Sequence, residues 1–117
     1  MSEQAVEVTR NGGVAVASLR GDIDMINHDE MLSALLHAAL DHGPRFVLDL
    51  TRVQYVDSNG VRMLFELANE LAQSRVEWAV ALDDDSPIMR LLKVTAFNDV
   101  VQIFCTTSDA ATALGGE

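Results

Sequence analysis

The chain has 117 residues, a length suited to one compact domain, and 49% of them are hydrophobic against 22% charged, so a buried core is expected and wholesale disorder is excluded. Eight Lys and Arg stand against 18 Asp and Glu, a formal net charge of −10. That balance argues against direct nucleic-acid binding and against an anionic membrane surface, since both depend on basic side chains. Its ordinary consequence is solubility, and it is compatible with a positively charged partner.

Two β-like runs come first, Ala5 to Arg10 and Val14 to Leu19. Asn11-Gly12-Gly13 between them accepts positive φ cheaply, so a hairpin is predicted. Arg20-Gly21-Asp22-Ile23-Asp24 leaves the second strand. Asn27 with Glu30 three residues later is a variant capping box, and Met31, Leu32, Leu35, Leu36, Ala39 and Leu40 then form one apolar helix face. Gly43-Pro44 ends that helix. Phe46-Val47-Leu48-Asp49-Leu50 is nearly all apolar, as a central parallel strand is. The strand either continues through Val53 or restarts near Tyr55.

Asp57, Ser58, Asn59 and Gly60 follow, and then Val61, Leu64, Leu67, Ala68 and Leu71 recur at helical spacing. A strand turning into a helix from about Asn59 to about Ser74 is predicted. A hydroxyl there sits where the first backbone N–H groups of a helix point outward. Taken locally, Asp57 or Ser58 simply caps the helix. Glu77 to Leu82 is the next strand and Asp83-Asp84-Asp85 an acidic loop. Ser86-Pro87 is expected to cap and start a short helix with Ile88, Leu91 and Leu92 facing inward. Val100 to Cys105 is read as the last strand, with Cys105, the single cysteine, buried in it as a small core residue. Thr107 or Ser108 caps a final helix through Ala110, Ala111, Ala113 and Leu114. The order β-β-α-β-α-β-α-β-α implies an α/β fold with a mixed, mostly parallel sheet, an N-terminal hairpin and about four helices, as one domain over residues 1–117.

Enzyme chemistry lacks an inventory. Val56 stands where the first glycine of a nucleophile elbow would be. His28, His37 and His42 all belong to the first helix or its ends, and spacing supplies no further triad member. His37 and His42 are five apart, which is not a metal-pair spacing, and no paired cysteines suggest zinc. Phosphate-loop and dinucleotide-binding glycine patterns are missing. A phosphoaspartate receiver with Asp49 as acceptor fits poorly, because the first strand is not followed by a helix. No catalytic residue, metal or cofactor is expected. Met1-Ser2-Glu3-Gln4 does not open a signal peptide, and no apolar stretch approaches a membrane span, so a cytoplasmic protein with no membrane contact is expected.

Four segments in order resemble the STAS domain family, in particular the bacterial anti-sigma factor antagonists. Leu19-Arg20-Gly21-Asp22-Ile23-Asp24 looks like the family's Leu-x-Gly-x-[Ile/Leu]-Asp after the hairpin. Phe46 to Leu50 resembles its central strand, and Val56-Asp57-Ser58-Asn59-Gly60-Val61 its Asp-Ser-x-Gly-[Leu/Val] signature. Ser86-Pro87-Ile88-Met89-Arg90-Leu91-Leu92 is similar to the segment that ends in a small helix before the last strand. Asn59 replaces a second serine that members often carry, which removes an alternative acceptor and keeps the main one.

The resemblance implies a STAS-like fold and a binding module switched by phosphorylation of Ser58. Its partner would be an anti-sigma factor, typically a serine-protein kinase, whose capture frees a sigma factor for transcription. A PP2C-type phosphatase is a candidate for the reset. By family position the partner surface includes Asp22, Asp24, Asp57, Ser58, Asn59, Gly60, Arg62 and Glu66. Considered alone, Asp22 and Asp24 read as loop solvation and helix entry, and Arg62, Glu66 and Asn69 as solvated helix residues. Gly60 is expected to keep the turn permissive. The other reading within the family is a non-catalytic STAS module in a stress-signalling complex or a lipid-transporter assembly.

Overall fold

The hairpin forms from the two branched runs. In the computed structural model, which describes residues 5–21, 28–41 and 43–115, β1 (Ala5–Asn11) pairs antiparallel with β2 (Val14–Arg20). Asn11 lies opposite Val14, and Gly12 takes φ 65° in the turn between them, a left-handed value that suits a residue without Cβ.

Each later strand is reached through a helix. α1 (His28–Asp41) leads to β3 (Arg45–Asp49), and α2 (Ser58–Gln73) to β4 (Glu77–Ala81). α3 (Met89–Val94) and a 3-10 turn (Phe97–Asp99) lead to β5 (Ile103–Phe104), and α4 (Thr107–Ala113) follows. The sheet order is β1-β2-β3-β4-β5, and every pairing after the hairpin is parallel, as helical crossovers impose. The described residues thus form the α/β fold expected, with a five-stranded, mostly parallel sheet and four α-helices.

Alternation along the strands divides the core in two. Ala15, Ala17 and Leu19 of β2, Phe46 and Leu48 of β3, and Val80 of β4 pack with Leu35, Leu64, Leu67, Leu71 and Leu92 from α1, α2 and α3. The alternate residues Val14, Val16, Val47, Ala79 and Ala81 meet Ala110 and Ala111 of α4. Both strands of the central β3–β4 pair are therefore covered on two faces, which explains their apolar sequences.

The last third departs from expectation. The run from Val100 to Cys105 forms only the two-residue strand β5, paired with Val80 and Ala81. The chain instead turns early to bury Phe97, whose ring packs edge-on against Phe65 at 5.2 Å and Trp78 at 6.2 Å. Thr95 prepares that turn by donating its hydroxyl to the carbonyls of Leu91 and Leu92, and Ala96 follows with φ 63°. Cys105 is exposed rather than buried, because β5 ends before it.

Cap positions shift as well. Ile88, not Ser86, precedes α3, and Ser86 Oγ accepts from the Ile88 amide at 3.3 Å in a turn ahead of the helix. Thr106 caps α4 by accepting from the Asp109 amide at 3.0 Å, in place of Thr107 or Ser108. Leu40, expected on the inner face of α1, is 52% exposed, and Ala38 is buried there instead. Asn27 and His42 lie outside the described residues.

Phe97→Ala is expected to lower unfolding free energy by about 3–5 kcal/mol, as for other buried aromatics. Val94→Ala, at a side chain 73% exposed, should change it by less than about 0.5 kcal/mol. Urea unfolding of both variants checks the contrast.

Candidate functional site

Asp49 ends β3 and begins the approach to α2. It is 8% exposed, the one buried charged residue among those described. Its Oδ2 accepts from Ser18 Oγ at 2.8 Å, directly across the parallel ladder on β2. Its Oδ1 accepts from the Thr51 amide at 2.9 Å and the Thr51 hydroxyl at 2.6 Å. The bond to the amide two residues on closes an Asx turn, so the chain leaves the strand here and does not extend through Val53. The Leu50 amide still donates to the Ala81 carbonyl at 2.9 Å, and the Val53 amide donates back to Leu50 at 3.0 Å. Val53 and Val56 are buried and hold the connection of residues 50–57 against the core. Sequence reasoning weighed Asp49 only as a phosphoaspartate; the Asp-x-Thr spacing at a strand end was the signal for its turn role.

Asp57 completes the connection. Its backbone is extended, with φ −93° and ψ −174°, and its Oδ1 accepts from the Gly60 amide at 2.9 Å. Asp57 is therefore the N-cap, and of the two cap candidates Ser58 is released from that task. Ser58 becomes the first residue of α2, one position earlier than the predicted start, with an exposed side chain. The first intrahelical bond runs from the Val61 amide to the Asp57 carbonyl at 3.0 Å. The amides of Ser58 and Asn59 have no carbonyl one helical turn before them, so their donors face the helix end.

The other expected residues arrange around this end. Asn59 is half-buried, and Arg62 and Glu66 are exposed on the polar face with Asn69 and Glu70. Val61, Met63, Leu64, Leu67, Ala68 and Leu71 turn inward and fix the helix on the core. Gly60, expected to ease a turn, is buried inside the first helical turn and lacks positive φ; because the cap falls at Asp57, no turn is needed at residue 60. Asp22 and Asp24 lie outside the described residues.

An exposed hydroxyl at this helix end can carry an anionic ester. The Ser58 and Asn59 amides, which have no partner among the described residues, and the positive end of the helix dipole both favour negative charge there. A family model described as the STAS domain matches residues 5–110. The chain belongs to the STAS domain family. Among STAS relatives it is similar to the anti-sigma-F factor antagonist RsfB of Mycobacterium tuberculosis, with 29% identity across 95% of this chain and 89% of that one. The crystal structure of an anti-sigma factor antagonist from Mycobacterium paratuberculosis shares its fold with TM-score 0.85 and 25% identity, covering 97% of this chain and 95% of the other. Bacillus SpoIIAA in its phosphorylated form shares the fold with TM-score 0.64 and 18% identity, over 94% of this chain and 99% of that one. No described helix is long and apolar enough to cross a membrane.

Asp57→Ala should cost about 1 kcal/mol of stability, the usual value of an N-cap, and Asp57→Asn should restore most of it. Asp49→Ala should cost more, about 1.5–3 kcal/mol, because half-buried Ser18 and exposed Thr51 lose a charged acceptor. Denaturant midpoints at constant slope check both, and protection of the 50–57 amides from hydrogen exchange should fall in Asp49→Ala.

Proposed function

We propose that this chain is an anti-sigma factor antagonist, binding an anti-sigma factor to release a sigma factor and switched off by phosphorylation of Ser58. The observation that carries the reading is the division of labour at the start of α2. Asp57 supplies the cap, so the exposed Ser58 hydroxyl is available to a kinase without loss of the helix end. The family membership and the named antagonists among its relatives supply the partner class.

The kinase chemistry belongs to the partner, an anti-sigma factor that is itself a serine-protein kinase. Phosphorylation adds about 1.5–2 negative charges. The helix end accommodates them, so the change acts on the surface rather than on the fold. A like charge about 5 Å away in a medium of effective dielectric near 20 opposes one added charge by about 3 kcal/mol. Each 1.4 kcal/mol is tenfold in affinity, so about half of that repulsion already weakens binding tenfold. The contact surface comprises Ser58, Arg62 and Glu66 with the backbone around Asn59 and Gly60, together with Asp57 and the preceding Asp22 and Asp24. A PP2C-type phosphatase restores the binding form.

Wild type, Ser58→Ala and Ser58→Asp are to be used as bait in lysate of the native organism, with captured proteins identified by mass spectrometry. Wild type and Ser58→Ala should retain a kinase-like anti-sigma factor, and Ser58→Asp should lose at least about tenfold of it while keeping its circular dichroism spectrum. Capture of one non-kinase assembly by all three would overturn the proposal.

A further inference from the structure

The connection that delivers Ser58 also presents an aromatic ring. Tyr55 is 52% exposed, yet the neighbouring Val53 and Val56 are 1% and 5% exposed. The ring therefore projects from backbone that is tied down before and after it. Its hydroxyl makes no hydrogen bond, and its ring meets no aromatic partner, among the described residues. Single exposed apolar side chains are ordinary on protein surfaces. Leu40 on α1, Val94 on α3 and Val100 after the 3-10 turn need no other account.

Tyr55 differs from them in position and chemistry. It lies three residues before the exposed Ser58, on a segment fixed by the Asp49 carboxylate at one end and the Asp57 carboxylate at the other. A tyrosine has only two χ angles to order, so immobilising it on binding costs little entropy. Its ring suits an apolar pocket while its hydroxyl can meet a polar group at the pocket's end, the combination that enriches tyrosine at the centres of interfaces.

We infer that Tyr55 is an aromatic anchor of the partner surface, seated in an apolar pocket of the anti-sigma factor beside the Ser58 contact. The inference rests on the antagonist reading and deepens it: Tyr55 supplies affinity, and Ser58 makes that affinity conditional on phosphorylation.

The test uses the full chain and the anti-sigma factor it captures, with affinities from titration calorimetry. Tyr55→Ala should weaken binding at least about tenfold and Tyr55→Phe by less, since phenylalanine keeps the ring. The thermal midpoint of both should stay within about 3 °C of wild type, because Tyr55 is half exposed and lies outside the core clusters. Fluorotyrosine incorporation gives one fluorine resonance, as the chain has a single Tyr, and it should shift when the partner is added. Unchanged affinity in Tyr55→Ala, or an unmoved resonance in the complex, overturns the anchor while Ser58→Asp still reports on the switch. If Tyr55→Ala proves unstable, Tyr55→Phe and the resonance decide. If wild type takes up no anti-sigma factor, the antagonist reading falls and the anchor with it.

Discussion

The Asp49 carboxylate accepts three hydrogen bonds at the point where β3 stops. One holds β2 to β3 through Ser18, and two fold the chain back through Thr51. A buried carboxylate without such donors would be costly, so the three bonds stand or fall together. They determine where the strand ends, and so how much chain remains to reach α2. Asp57 performs the matching task at the far end by holding the Gly60 amide. Ser58 is thus delivered to a fixed place by two carboxylates, Asp49 and Asp57.

The sheet beneath is asymmetric. α1, α2 and α3 bury large aliphatic side chains on one face, whereas the short α4 covers Val14, Val16, Val47, Ala79 and Ala81 with its own Ala110 and Ala111. The larger face carries α2, so the helix presenting Ser58 is anchored by its most apolar contacts. Its opposite side can then be wholly polar without loss of position.

Much of this was legible in sequence because it depends on periodicity. The β1–β2 hairpin follows from branched residues flanking Asn11-Gly12-Gly13, and α2 from the spacing of Val61, Leu64, Leu67 and Leu71. The Asp57-Ser58-Asn59-Gly60 stretch marked the site, yet the sequence left two candidates for the cap. Bond geometry decides between them, since both residue types accept an amide equally well. Cys105 is exposed because β5 ends before it, which its apolar neighbourhood in sequence does not reveal, whereas Leu40 lies within α1 and is exposed because the buried face runs through Ala38 and Ala39 instead.

The sequence by itself determined the order of elements, the parallel crossovers and the turn into α2 at residues 57–60, because each rests on local pattern and chain connectivity. Tertiary structure alone decided that Asp49 also takes the Ser18 hydroxyl across the sheet, that Phe97 displaces most of the last strand, and that Tyr55 is half exposed. Those outcomes depend on what lies across the sheet or beneath the ring, and contacts between residues far apart in the chain leave no mark on local spacing.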